Sequence, residues 1–463
     1  MADLIRCISP IDGSVVAERP PATDAEIGAA LAAARAAQLH WRNTPLAERA
    51  RICNAAVAVM LGMTDAIVPE LAWQMGRPVR YGAGELRGFA ERARYMIDIA
   101  ASALEPVDPG PKEGFSRRIE RVPLGTVLVI APWNYPYLTA VNSIIPALMA
   151  GNAVILKHAA QTMLVGDRFQ QAFDLARLPA GLFRALPLTH AATARILGGR
   201  GVDQVNFTGS VAGGRAIEAA AAGSFIGVGL ELGGKDPAYV RADADLAHAV
   251  ENLVDGAFFN SGQSCCGIER IYVHRDLYDR FVDGVVGLTK TYVLDDPLQE
   301  ATTLGPMVKA EAAAFVRGQV ADAVRAGARA LVDPAGFPRD AAGTPYMAPQ
   351  VVVDVSHDMA LMHEETFGPV IGIMPVDSDA QAIALMNDSA YGLTAAIWTA
   401  DEAAANRIGD ALQTGTVFMN RCDYLDPALA WTGVKETGRG VTLSRVGYET
   451  MTRPKSFHLR TTL

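Results

Sequence analysis

The chain opens with apolar positions that recur at helical spacing. Alanine-rich segments begin at Thr23, where Thr-Asp-Ala-Glu at 23–26 has the form of a capping box. Pro69 interrupts the third segment, so that helix is expected to be short or kinked. The pattern predicts an initial layer of helices over 23–38, 44–63, a segment after Thr64, and 81–103.

From Leu124 onward, short apolar runs alternate with helical stretches. Near-continuous apolar strands separated by helices are typical of a parallel sheet covered on both faces, and nucleotides are common ligands of such sheets. The first set of predicted strands is Val127–Ile130, Ala153–Leu156, Phe183–Leu186, Gln204–Phe207 and Phe225–Leu230. A second α/β domain is expected after Gly234, with strands Arg270–Val273, Ala330–Val332, Val351–Val355, Val370–Pro375, Ala395–Trp398 and Thr416–Met419.

Two further segments have strand patterns outside these domains. Phe115–Val122 mixes apolar and charged positions, which suits an edge strand or an arm better than a core strand. Arg453–Arg460 can form a terminal strand.

Length and composition limit the number of domains, the partners and the cellular location that can be expected. A chain of 463 residues exceeds one core of roughly 250 to 300 residues, so two or three domains are expected. With 41 basic and 50 acidic residues and a net charge of −9, nucleic acid is not expected as the main partner. No apolar stretch reaches roughly 18 residues, and no secretory signal is visible, so neither a membrane span nor secretion is expected. Five cysteines without paired metal spacing indicate reduced thiols, a cytoplasmic location and no structural metal.

A Gly-and-Ser turn with two adjacent cysteines follows the predicted helix Asp243–Phe259. Cys265 on such a loop suits a nucleophile, although a vicinal pair with Cys266 is also typical of buried packing. Taken alone, Asn134 between two prolines suits a turn, and Glu231 before paired glycines suits a cap or an ion pair. The residues by themselves leave these alternatives open.

Six motifs together resemble the signatures of the aldehyde dehydrogenase superfamily, in that family's order and over nearly the whole chain. They are Pro-Trp-Asn at 132–134, Phe-Thr-Gly-Ser at 207–210, Glu-Leu-Gly-Gly-Lys at 231–235, Gly-Gln-Ser-Cys at 262–265, Glu-Thr-Phe-Gly-Pro-Val at 365–370 and Gly-Val-Lys at 433–435. The resemblance implies an α/β fold with a Rossmann-like parallel-sheet cofactor domain, a second α/β catalytic domain and a small β oligomerisation arm. The implied ranges are 1–112 with 124–232 for the cofactor domain, to which 433–452 returns, 233–432 for the catalytic domain, and 113–123 with 453–463 for the arm. A homodimer or homotetramer is expected.

The resemblance also implies the roles of individual residues in oxidising a small-molecule aldehyde. Cys265 matches the nucleophile, Asn134 the oxyanion donor, and Glu231 the base that activates water to hydrolyse a thioester. NAD or NADP is the implied cofactor. The implied cofactor-binding residues are Trp133, Lys157, Gly209, Ser210, Gly214, Glu365 and Phe367.

Substrate and cofactor preference lead to two hypotheses. Tyr135 and Arg421 lie in segments that match the family's substrate loops, and Arg421 suits the carboxylate of a semialdehyde unless Asp423 neutralises it. Many NAD-specific members have a glutamate where this chain has Ala160, and that glutamate repels the 2′-phosphate of NADP. Acceptance of both NAD and NADP is therefore expected.

Three alternative functions use the same residues differently. A CoA-acylating enzyme would pass the thioester to CoA, but such enzymes generally lack the base that Glu231 matches. A cysteine esterase or acyltransferase without redox chemistry would leave the nucleotide-binding half unexplained. A catalytically silent structural protein would not need Cys265, Glu231 and Asn134 together.

Overall fold

The structure is a computed structural model that describes residues 4–422 and 424–462. Its helices are α1 (Asp24–Trp41), α2 (Leu46–Gly62), α3 (Thr64–Met75), α4 (Val79–Ala103), α5 (Pro136–Ala150), α6 (Met163–Leu175), α7 (His190–Gly198), α8 (Val211–Ala221), α9 (Leu246–Phe258), α10 (Tyr278–Thr289), α11 (Ala310–Arg325), α12 (Ala360–His363), α13 (Asp379–Asn387), α14 (Glu402–Ala411) and α15 (Ser444–Gly447).

The strands in chain order are β1 (Ile5–Ile8), β2 (Val15–Arg19), β3 (Phe115–Pro123), β4 (Thr126–Ala131), β5 (Ala153–His158), β6 (Phe183–Ala185), β7 (Gln204–Thr208), β8 (Gly227–Glu231), β9 (Asp236–Val240), β10 (Ile268–His274), β11 (Arg329–Ala330), β12 (Gln350–Val353), β13 (Val370–Val376), β14 (Tyr391–Gly392), β15 (Thr394–Trp398), β16 (Thr416–Met419), β17 (Val434–Lys435), β18 (Gly438–Arg439) and β19 (Thr452–Arg460).

The opening helices form as their sequence pattern predicts. At the start of α1, the Thr23 hydroxyl accepts from the Glu26 N–H at 3.2 Å, and the Glu26 carboxylate accepts from the Thr23 N–H at 2.8 Å, which confirms the capping box. Helix α3 continues for 12 residues with Pro69 inside it, so the proline does not end the helix, which stops at Gly76 in a left-handed cap. The antiparallel hairpin of β1 and β2 that precedes these helices was not predicted.

The first sheet has the strand order β18-β8-β7-β4-β5-β6. Its neighbours pair in parallel except β18, which is antiparallel to β8. Every residue of β4 is buried, and helices α2, α4 and α5 share its core cluster. A strand buried on both faces explains the continuous apolar run in the sequence.

The second sheet has the order β11-β12-β13-β10-β9-β15-β16, with only β11 antiparallel. The predicted α/β fold with parallel sheets is confirmed. Strand β9 was not predicted because it begins with Asp-Pro one residue after the glycine pair at 233–234, yet all of its residues are buried and it lies between β10 and β15. The predicted strand Ala330–Val332 is limited to the two-residue β11.

Strands β3 and β19 form a separate antiparallel pair over nine residues each. The Arg118 guanidinium lies 3.9 Å from the centre of the Phe457 ring across this pair. The terminal strand predicted at 453–460 is therefore present, and its role in oligomer formation stays a prediction.

Among the described residues, no single helix has the length and apolar composition needed to cross a membrane. The bent pair of α2 and α3, with an angle of 69° between them, meets that criterion only when the two are taken together.

Candidate active site

The cysteine pair lies on a tight loop that follows α9. After Phe258, the backbone of Asn260, Ser261 and Gly262 is left-handed, with φ of 54°, 57° and 68°. A Cβ on Gly262 would overlap the carbonyl of Gly368, so both the conformation and the close approach require glycine. Such a strained turn is held only by well-packed surroundings and is common at functional sites.

The two cysteines differ in their exposure. Cys266 is 3% exposed and belongs to the first core cluster, whereas Cys265 is partly exposed. Two cavities meet at Cys265: a first cavity of about 430 Å³ beside α4 and α5, and a second of about 340 Å³ beside Glu365 and Phe367. The residues that line both are Thr139, Thr208, Glu231, Leu232 and Cys265.

Asn134 is buried at the start of α5, next to the cysteine loop. Its side-chain Nδ2 donates to the Gln263 backbone carbonyl at 3.1 Å, and its backbone carbonyl accepts from Arg77 Nη2 at 2.6 Å and from Asn260 Nδ2 at 3.3 Å. The first bond holds the Asn134 side-chain amide against the backbone just before the cysteine pair, and the other two hold the Asn134 backbone.

Arg77 and Glu85 form a buried ion pair beneath the loop that contains Asn134. Glu85 Oε1 also accepts the backbone N–H groups of Tyr137 at 2.9 Å and Leu138 at 3.1 Å, in the first turn of α5. A carboxylate at a helix N-terminus satisfies exposed donors and complements the helix dipole. The ion pair therefore anchors the start of α5.

Glu231 ends β8 and lines both cavities at Cys265. Its Oε1 accepts from the Thr442 hydroxyl at 2.5 Å and its Oε2 from the Thr208 hydroxyl at 3.3 Å. Burial raises the pKa of Glu231, while these two hydrogen bonds and the charge of Arg92 oppose the rise. A carboxylate with a raised pKa beside an accessible thiol has the properties of a general base.

A third cavity of about 550 Å³ continues from the second cavity along the first sheet. Trp133, Gly209 and Ser210 line both of them, and Lys157 and Ala160 line the third. Ser210 caps α8, and a Cβ on Gly209 would lie 2.7 Å from the Phe207 ring. The glycine thus keeps the approach to a helix N-terminus open, as a bound diphosphate requires.

Gly214 has a different position from the other predicted cofactor residues. It lies outside the lining of the second and third cavities, and a Cβ there would lie 2.6 Å from the Leu232 side chain. Gly214 therefore allows α8 to pack closely against the end of β8.

Glu365 and Phe367 line the second cavity from the segment between α12 and β13. Glu365 Oε1 accepts from the Gly234 N–H at 3.1 Å, and burial raises the pKa of Glu365 to about 7. The rings of Trp133 and Phe367 meet edge to face, with centres 5.8 Å apart. Both rings line the second cavity, so a planar ring bound there would lie against aromatic surface.

A buried ion pair that the sequence analysis missed supports this wall. Glu269 accepts from Lys235 Nζ at 2.6 Å and from the backbone N–H groups of Thr366 and Phe367 at 2.8 Å each. Glu269 has no local motif, since it lies inside β10, and only the packing of β10 against the 365–370 segment gives it this position.

The two predicted substrate residues are placed differently. Tyr135 lines the first cavity, and the Arg77 guanidinium lies 4.6 Å from its ring centre. Arg421 is exposed and does not line that cavity, but its guanidinium lies 3.9 Å from the ring centre of Tyr424, which does. Asp423, the predicted neutralising group, lies outside the described residues, and substrate recognition by Arg421 stays a prediction.

In the described part of the chain, no group of three or more His, Cys, Asp or Glu side chains is arranged to hold a metal ion.

Comparisons with known proteins agree with this geometry. The model of the aldehyde dehydrogenase family matches residues 2–457. The NADP-dependent succinate-semialdehyde dehydrogenase of Mycobacterium avium (strain 104) is 36% identical over 455 residues, which are 98% of this chain and 96% of the relative. The 3,6-anhydro-alpha-L-galactose dehydrogenase of Streptomyces coelicolor is 35% identical over 469 residues, which are 98% of this chain and 92% of the relative.

A solved structure gives the same result for the fold. The aldehyde dehydrogenase from Brucella melitensis biovar abortus 2308 superposes with a TM-score of 0.95 at 28% identity, covering 100% of this chain and 95% of that one. The chain therefore belongs to the aldehyde dehydrogenase family and is an NAD(P)-dependent oxidoreductase that acts on the aldehyde group of its substrate.

Proposed function

We propose that the protein oxidises an aldehyde to the free carboxylic acid through a covalent bond to Cys265. This proposal is based on one observation: Cys265 and Glu231 both lie where the first and second cavities meet. One cavity can hold an aldehyde and the other a planar ring, so the thiol has access to both. In this mechanism the Cys265 thiolate attacks the carbonyl carbon, because a tetrahedral adduct releases hydride far more readily than a free aldehyde.

Asn134 is proposed to stabilise the oxygen of that adduct together with the backbone N–H of Cys265. An amide nitrogen carries two protons, so Asn134 Nδ2 can bond the Gln263 carbonyl at 3.1 Å and still donate to an oxyanion. Because the hydrogen bonds from Arg77 and Asn260 fix its backbone carbonyl and the bond to Gln263 holds its side chain, the side-chain amide needs little reorganisation during the reaction.

Glu231 is proposed to take a proton from the water that hydrolyses the resulting thioester. Its raised pKa, caused by burial, suits a base that works near neutral pH. Hydrolysis then yields the carboxylic acid and returns Cys265 to its thiol or thiolate form. The presence of this base favours water over CoA as the acceptor of the acyl group.

The second and third cavities have the residues that a nicotinamide dinucleotide requires. Gly209 and Ser210 lie at the start of α8 for the diphosphate, Glu365 and Phe367 face the second cavity, and Lys157 faces the third. When bound, the cofactor supplies the acceptor for the hydride. The chain's own part is to hold it beside Cys265.

We also propose that NADP is accepted. Ala160 lines the third cavity with Lys157, so no carboxylate stands at that position against a 2′-phosphate. Two like charges about 4 Å apart would cost roughly 4 kcal/mol at an effective dielectric constant near 20. Asp167 also lines this cavity, but it is paired with Arg19 at 2.8 Å. The printed name of the Mycobacterium relative as NADP-dependent supports the same proposal.

Steady-state assays on a panel of aldehydes, with NAD or NADP and with or without CoA, test these proposals. We expect reduced nicotinamide and free acid to form without CoA. For Glu231→Gln, we expect about one reduced cofactor per site followed by a stall, because the thioester forms but is not hydrolysed. A strict need for CoA, or full turnover by Glu231→Gln, would contradict the mechanism.

A further inference from the structure

A buried guanidinium forms part of the wall of the first cavity. Arg92 on α4 is 8% exposed and lines this cavity together with Cys265 and Glu231. Its Nη1 donates to the Leu138 carbonyl at 2.9 Å and to Asn142 Oδ1 at 3.4 Å. Among the described residues, its Nε and Nη2 have no hydrogen-bond partner. The N–H donors on Nε and Nη2 of Arg92 are therefore left for a ligand in the cavity.

The nearby acids do not neutralise Arg92 by direct pairing. Glu85 is already bonded to Arg77 and to two backbone N–H groups, and Glu231 to two threonine hydroxyls. Within residues 4–422 and 424–462, no carboxylate lies within the 4.0 Å ion-pair distance of Arg92. The other inner cation, Arg77, is paired, so Arg92 is the inner cation that keeps donors for a ligand.

The remaining charges of the cavity lie at its exposed end. Arg87, Glu91 and Asp255 line the cavity but are exposed, and Glu91 accepts from the Tyr424 hydroxyl at 2.9 Å. Their interactions with a ligand are screened by water far more than those of a buried group. The inner end of the cavity therefore differs from its mouth in having a desolvated cation.

Keeping an arginine at a buried position is unfavourable unless an anion or several acceptors compensate the charge. Burial lowers the pKa of Arg92, and Glu85, Cys266, Glu231 and Cys265 oppose this effect through their charges. Two neutral acceptors on one Nη satisfy only part of a fork that has five N–H donors. A carboxylate matches the unused edge in shape and charge.

We propose that Arg92 binds a carboxylate group of the substrate, so that the enzyme prefers aldehydes that carry an acid at their other end. This inference rests on the proposed function, since it assigns the first cavity to the aldehyde. It places the recognition of the acid on a buried residue of α4 and not on the exposed Arg421. It also favours a semialdehyde over a neutral sugar aldehyde, the two kinds of substrate named for the relatives.

The test compares succinic semialdehyde with butanal, which has the same number of carbons and no carboxylate. Steady-state kinetics are measured across pH for the wild type, Arg92→Gln and Arg92→Lys, with Arg94→Ala as control because Arg94 is exposed on the same helix and outside the cavity. We expect wild type to favour the semialdehyde, and Arg92→Gln to reduce the kcat/KM ratio of the two substrates at least about 50-fold, mainly through KM. Arg92→Lys keeps the charge without the fork, so it should lose less.

Calorimetric titration with succinate, without cofactor, gives a readout that does not depend on turnover. We expect binding to the wild type and to Arg94→Ala, and at least about tenfold weaker binding to Arg92→Gln, since one charge-assisted contact is lost. Thermal melting identifies any variant that does not fold. If Arg92→Gln does not fold, the kinetics and the succinate titration of Arg92→Lys test the proposal instead.

The outcomes separate this inference from the proposed function. Equal losses for both aldehydes with unchanged succinate binding, or a wild type without preference for the semialdehyde, would overturn the assignment of Arg92. If the wild type oxidises no aldehyde with either cofactor, the proposed function fails. Succinate binding that depends on Arg92 would then still support a carboxylate site, and its absence would overturn that as well.

Discussion

Removing the hydroxyl of Thr442 should shift the acidic limb of the pH–rate profile to higher pH. Thr442 donates to Glu231 Oε1 at 2.5 Å, and this bond lowers the pKa that burial has raised. Thr442 lines neither of the two cavities at Cys265, so Thr442→Val changes the base without changing the walls around the substrate. Valine has the same shape and lacks the donor.

The size of the effect follows from the geometry of that bond. A hydrogen bond to an ionised group contributes about 1.5 to 3 kcal/mol, and about 1.4 kcal/mol changes the ratio of ionised to neutral Glu231 tenfold at fixed pH. We therefore expect kcat to fall by roughly tenfold or more on the acidic side, where the base is mostly protonated. At high pH kcat should approach the wild-type value, because Glu231 is then ionised in both proteins.

The assay is the pH dependence of kcat with saturating aldehyde and cofactor. Rapid mixing is used to show a burst of reduced cofactor, because kcat depends on the ionisation of Glu231 only when deacylation limits the rate. Thr208→Val is a second variant of the same base, although Thr208 also lines both cavities: its hydroxyl is 3.3 Å from Glu231 Oε2, so the same limb should move in the same direction by a smaller amount. An acidic limb that does not move, or that moves to lower pH, would refute the assignment of Glu231 as base. A uniform fall in kcat at all pH values would do the same.

Four other substitutions have defined outcomes. Cys265→Ser should abolish turnover and Cys266→Ser should retain most of it, because only Cys265 lines both cavities and Cys266 is 3% exposed; equal losses in kcat would contradict this. The wild type should use NAD and NADP with efficiencies within about 100-fold, or roughly 3 kcal/mol, and Ala160→Glu should weaken mainly NADP. If the catalytic efficiency of the wild type with NADP is more than about a thousandfold lower than with NAD, another acidic side chain repels the 2′-phosphate at the ribose. Arg77→Met should lower the stability to unfolding by about 3 to 5 kcal/mol, since it leaves a buried carboxylate unpaired. It should also lower kcat through Asn134, and an unchanged melting temperature would argue against this account of the pair.

The contiguous parts of the candidate site could be predicted because each is a local pattern. The glycine at 262 and the strand end at Glu231 are visible in sequence, since a left-handed turn needs glycine and a buried parallel strand is a continuous apolar run. In contrast, Arg92 and Thr442 have no local signal. Arg92 belongs to a helix whose charged residues resemble a solvated face, and only the packing of α4 against α5 buries it.

The sequence by itself therefore determined the class of fold, most of its helices and parallel strands, and the loop that holds Cys265, because hydrophobic periodicity and turn residues act over a few neighbouring positions. The tertiary structure decided which distant side chains meet. It paired Arg77 with Glu85 under Asn134 and brought Thr442 to Glu231 across 211 positions of sequence. These contacts depend on how helices and strands pack, and packing is set by the whole core and not by the residues that flank each group.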